Sequence, residues 1–77
     1  MNYSEEHKKI GGWLREKRKA SNLTQAQLAG LIGCHKSIIG RYEAGRRMGI
    51  VQFIKITAAL NAKPEEAFEL CVEVDRR

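Results

Sequence analysis

Apolar residues recur along this chain three to four positions apart, and no segment alternates apolar and polar residues over a useful length. That spacing predicts helices and no sheet. A first helix is expected from about Ser4 to Ser21, with Ile10, Trp13 and Leu14 on one face and Lys17 adding its aliphatic stem. Ser4 with Glu5 and Glu6 behind it reads as a helix start, since acids favour the positive end of the helix. Gly11 and Gly12 weaken the middle by about 1 kcal/mol each; either the helix begins after them or they admit a close neighbour. A second helix opens on Thr24-Gln25-Ala26-Gln27, a capping box, carries Leu28, Ala29, Leu31 and Ile32, and ends at Gly33. A third runs from about His35 to Ala44 and stops at Gly45, with Ile38, Ile39 and Tyr42 on one side and His35, Lys36, Ser37 and Arg41 largely on the other. A fourth covers about Ile50 to Leu60, where Val51, Phe53, Ile54, Ala58 and Ala59 are apolar and Asn61 is the terminator. A fifth opens at Pro64, followed by Glu65 and Glu66, and has an apolar side of Ala67, Phe68, Cys71, Val72 and Val74. Asp75-Arg76-Arg77 reads as a frayed end.

Seventy-seven residues hold one hydrophobic core, so positions 1–77 form a single domain, all-α, a compact five-helix bundle. A core this small leaves marginal stability, which oligomerisation would raise. Within the bundle, Thr24 to Gly45 has the spacing of a helix-turn-helix, with the motif at about 24–44. Ala29 is small where the two helices meet, Gly33 follows four residues later where the backbone reverses, and Ile39 returns to the core. Ile39 and Tyr42 read as core, and Trp13 as a residue at its edge. Leu31 and Ile38 are either an exposed apolar patch or the edge of the core.

Charge then suggests a partner. The chain is net +5 at neutral pH, but unevenly. Residues 1–47 hold ten lysines and arginines against four acids, while residues 48–77 hold four against five. A basic part of this size points to a polyanion such as nucleic acid. No apolar run approaches the roughly 18 residues that span a bilayer, and the polar start lacks the apolar stretch of a signal peptide. The expectation is a cytoplasmic protein with no membrane contact. Cys34 and Cys71 form no CxxC pair, and His7 and His35 do not supply ligand spacing, so two free thiols and no metal or other cofactor are expected. No cluster of acid, histidine and serine stands at catalytic spacing and no phosphate-binding loop is present, so the chain does not read as an enzyme.

The residues Arg18, Leu23-Thr24-Gln25, Leu28-Ala29, Gly33, Ile39, Glu43, Gly45-Arg46 and Ala59-Leu60 occur in an order that resembles the Cro/C1-type (XRE-like) helix-turn-helix family. The family comprises small transcriptional regulators with a lambda-repressor-like DNA-binding domain. The resemblance implies double-stranded DNA as partner, with the third helix in the major groove. It places His35, Lys36, Ser37 and Arg41 at base edges, with phosphate as the alternative contact for His35 and Ser37. Arg41 would fork onto guanine. Thr24 and Gln25 would hold phosphate at the start of the second helix, as would Arg46 and Arg47 in the loop behind the third. Arg18 and Glu43 would form a structural salt bridge between helices one and three. Helices four and five, about 50–74, would supply the symmetric contact of a homodimer through Phe68, Leu70, Cys71 and Val72. The plainer alternative is that these close the monomer core.

The implied function is a homodimeric repressor or autoregulator on an inverted-repeat, palindromic operator. The alternatives are an antitoxin that also binds a toxin protein, or a restriction–modification controller; some relatives contact RNA polymerase. Two departures stand out. Met48-Gly49-Ile50 replaces a common Pro-Ser helix start, and Gly40 costs helicity in the reading helix, where it would admit close approach to DNA. Cys34 adjoins the reading residues, where oxidation would disturb binding; a small apolar filler is the plainer role.

Overall fold

A computed structural model describes residues 4–72 of the chain. Val74, the Asp75-Arg76-Arg77 end and the side chain of Val72 lie outside the described residues. Helix α1 (Glu5–Ala20) starts at Ser4, whose hydroxyl accepts from the His7 amide at 3.1 Å. It runs straight through both glycines. A Cβ on Gly11 would lie 2.7 Å from the Glu43 carbonyl oxygen and closer still to that of Tyr42, whereas one on Gly12 would meet open space. Gly11 is therefore the point where α1 lies against the end of α3.

Helix α2 (Gln25–Ile32) has both halves of its capping box. Thr24 Oγ1 accepts from the Gln27 amide at 3.0 Å, and Gln27 Oε1 accepts from the Thr24 amide at 2.8 Å. Gly33 ends it in the left-handed region. Helix α3 (Lys36–Glu43) is capped by His35 and ends on Gly45 at φ 111°. There the Arg46 amide donates to the Arg41 carbonyl at 3.0 Å and the Gly45 amide to that of Tyr42, so the last carbonyls of the helix are satisfied. Asn22 after α1 and Asn61 after α4 do the same work at φ 59° and 54°. Helix α4 (Ile50–Ala59) begins at Gly49 with no side-chain cap, in keeping with the missing Pro-Ser start. Helix α5 (Pro64–Val72) carries Glu65 and Glu66 in its first turn.

The core is Leu14, Leu28, Ala29, Ile39, Ile56 and Leu60, with Ile10, Trp13, Leu23, Ile32, Cys34, Tyr42 and Met48 packed around it. Helix α2 packs on both α3 and α4, and α1 on both α3 and α5. Cys34 and Cys71 are free thiols, both half-buried. No helix among the described residues is long and apolar enough to cross a membrane.

Helix α4 turns a different face inward than its composition suggests. Phe53, Ile56 and Thr57 are buried, and Thr57 satisfies its hydroxyl by donating to the Phe53 carbonyl at 3.0 Å. Ile50, Val51 and Ile54 are instead 63%, 62% and 55% exposed. Phe68 is 56% exposed, with one face on the Phe53 ring at 6.4 Å, so it does not close the core.

Candidate nucleic-acid interface

Helix α3 is fixed from behind. Ile39 is buried, and Arg18 grips Glu43 at the last turn with two parallel bonds, Nε to Oε2 at 2.6 Å and Nη2 to Oε1 at 3.1 Å. The side chains of the pair are only 10% and 6% exposed. Hydrogen bonding to Glu43 holds the Arg18 guanidinium above its ordinary pKa, so it stays charged. Its remaining Nη1 donates to the Leu23 carbonyl at 2.8 Å, tying the pair to the loop before α2. This is the salt bridge expected from the sequence.

Gln25 joins the same cluster. Its Nε2 donates to Glu43 Oε1 at 3.1 Å, and its amide lies across Gly40, 3.5 Å from where a Cβ would stand. A Cβ at Gly40 would thus stand in ordinary van der Waals contact with Gln25. An amide nitrogen has two hydrogens, so one remains for an outside acceptor.

On the outward side, His35, Lys36, Ser37 and Arg41 are all exposed, and so are Thr24, Arg46 and Arg47; Gln25 is half-buried. The structure therefore brings the four expected base-reading residues onto α3 and its cap. Ile38 is half-buried at the margin of α3 and Leu31 is 63% exposed on α2. The sequence did not reveal that His35 is the N-cap of α3. Its Nδ1 accepts from the Ser37 amide at 3.1 Å. The clue available was its position, directly ahead of a helix and behind a glycine turn.

A second surface lies on α4 and α5. Ile50 and Phe68 flank a groove of about 190 Å³ floored by Ile10, Met48, Phe53 and Ala67, with His7 and Arg46 at its edge. Of the pairing residues expected from the sequence, Phe68 is exposed here while Leu70 and Cys71 are half-buried. Ile50, Val51 and Ile54 were not read from the sequence as exposed, although positions 50, 54 and 58 make one stripe and 53, 56, 57 and 60 another.

A cationic helix held at the surface by a buried ion pair, behind a tight glycine turn, defines a DNA-binding protein of the transcriptional-regulator class. The chain belongs to the Cro/C1-type helix-turn-helix family: the profile HTH_3, "Helix-turn-helix", matches residues 14–67. Among solved structures it is similar to the restriction-modification controller protein C.AhdI from Aeromonas hydrophila, at 37% identity over 83% of this chain and 98% of that one, with a TM-score of 0.78. The clp gene regulator ClgR from C. glutamicum shares the fold at 18% identity, covering 86% of each chain, with a TM-score of 0.79. A point variant of the controller C.Esp1396I shares it at 20% identity, covering 99% of each chain, also at 0.79. No curated protein sequence matches the chain.

Proposed function

We propose that the protein is a homodimeric repressor and autoregulator that binds an inverted-repeat operator with α3 in the major groove. The observation that carries this reading is the outward side of α3, where four polar or cationic residues stand exposed on a helix whose other side is locked into the core. Lys36 and Arg41 are base readers, Arg41 forking onto guanine O6 and N7. Thr24, Gln25, Arg46 and Arg47 hold phosphates on either side of the groove.

One α3 reads only a few base pairs, so a second copy is needed for affinity and for an operator of two half-sites. The pairing surface is Ile50, Val51 and Ile54 of α4 with Phe68 of α5, since a contiguous exposed apolar patch marks an interaction site. Leu70 and Cys71 extend it. The 37% identity to a controller protein favours a restriction–modification setting over a phage or antitoxin one.

Selection of duplexes from a random pool tests the reading. Two inverted half-sites with centres about 34–36 Å apart, or a multiple of that, are expected, bound by two chains. Arg41→Ala should erase the preference at one position per half-site and leave thermal unfolding unchanged. Recovery of no preferred sequence, or of one half-site held by one chain, overturns the proposal.

A further inference from the structure

We infer that the first turn of α3 presents DNA with a donor at His35 and an acceptor at Ser37, a polarity set by hydrogen bonds inside the turn. The inference rests on the groove-reading role proposed for α3 and adds the direction of two of its contacts.

The backbone N–H of Ser37 points at His35 Nδ1 over 3.1 Å. A backbone amide only donates, so Nδ1 is the nitrogen without a proton. In a neutral imidazole the proton then sits on Nε2. Ser37 Oγ lies 3.0 Å from the same Nδ1. With no hydrogen on Nδ1, the hydroxyl is the donor in that contact, sharing the one Nδ1 lone pair with the amide in a three-centre bond, and the hydroxyl's own lone pairs remain for a partner outside. Both residues are exposed, and neither side chain makes another hydrogen bond among the described residues.

A serine is normally free to donate or accept. Here the cap removes that freedom. His35 Nε2–H matches an acceptor: a purine N7, guanine O6, thymine O4 or a phosphate oxygen. Ser37 Oγ matches a donor, which in the major groove is the amino group of adenine or cytosine. A phosphate offers no donor, so Ser37 faces a base. The recognition helix thereby excludes operators that set two acceptors, or two donors, against this pair.

Long-range proton–nitrogen spectra of the labelled protein, free and on a selected duplex, test the first half. The Nε2–H form of His35 is expected in both, and a ring protonated on Nδ1 overturns the inference. Base analogues in that duplex test the second half. Ser37→Ala should weaken binding roughly fivefold, the worth of one net hydrogen bond, and cost nothing further once the facing base lacks its amino group. If a methylphosphonate in the backbone removes the cost of Ser37→Ala instead, Ser37 contacts phosphate and the inference fails. His35→Gly, which is also tolerated as a helix cap and carries no side-chain donor, should keep thermal unfolding nearly unchanged and lose the same fold in affinity. A 7-deazapurine or a methylphosphonate that abolishes that loss identifies the acceptor; an unchanged affinity for His35→Gly refutes the donor role. A protein that enriches no duplex overturns the groove-reading role of α3, and the inference with it, whatever the ring tautomer.

Discussion

Gly11 and Gly40 look alike in sequence, each a glycine inside a helix that composition alone would fill with alanine. Their surroundings separate them. A methyl on Gly11 runs into the carbonyl oxygens of Tyr42 and Glu43, backbone that closes α3 and cannot step aside. A methyl on Gly40 meets the Gln25 amide at 3.5 Å, an ordinary contact. Gly11→Ala should therefore cost about 2 kcal/mol through overpacking. Gly40→Ala should add about 0.5–1 kcal/mol of helix propensity. Urea unfolding of the two variants measures both, and effects of the same sign would contradict the contrast. The sequence left Gly11 open and read Gly40 only as room for DNA, because a close approach depends on which element crosses there, a long-range fact. Arg18 and Glu43 were legible because the family pattern fixes both positions at once. For Gln25 the family pattern offered only an expected phosphate contact; its bond to Glu43 depends on where α3 ends relative to α2.

Element boundaries were legible for a local reason. Ser4, the Thr24/Gln27 box, Gly33, Asn61 and Pro64 each solve the unsatisfied ends of one helix within a few residues of chain. How α5 meets α1 was not legible, since it depends on side chains about fifty positions apart in the chain. Glu66 of α5 takes the Lys17 ammonium at 3.0 Å and the Trp13 indole N–H at 3.3 Å, with Lys17 also lying 5.9 Å over the indole. The hydrogen bond from Lys17, then that from Trp13, holds the Glu66 carboxyl below the usual carboxylate range. A depressed acid contributes its stability above its unfolded pKa and loses it as pH falls through the folded one. Docking of α5 on α1 should thus weaken in acid, below the ordinary carboxylate value. Because the site is exposed to solvent and screened, the effect is small. Trp13, the only tryptophan, reports it: Glu66→Gln should be less stable than the parent at neutral pH and equal to it in strong acid. A stability gap that does not change with pH would show that the ion pair does not hold the helices together.

At the scale of the whole molecule, the family fold came through the sequence almost entire, while the second surface came through only at α5. The reason lies in α4. Ile50, Val51, Phe53, Ile54 and Ile56 make that helix apolar nearly all round, and such a helix carries no phase of its own. Its phase is set by the buried Phe53, Ile56, Thr57 and Leu60, which leaves Ile50, Val51 and Ile54 outside beside Phe68. Ile54 is the best probe of the surface, because Phe68 also stacks on Phe53 and its loss would disturb the monomer. Ile54→Asp places a charge where a partner copy would bury an isoleucine, yet at 55% exposure it should leave the thermal unfolding of the isolated chain nearly unchanged. The variant should sediment as a monomer at micromolar concentration, where the parent should sediment as the proposed dimer. Its operator binding should change in two separable ways. Affinity should fall by orders of magnitude, because two half-sites no longer share one complex. The slope of log affinity against log salt should also drop to roughly half, because one chain neutralises half the phosphates. A lower affinity with an unaltered slope would mean that two copies still assemble on the DNA, and that the apolar stripe on α4 is not what joins them.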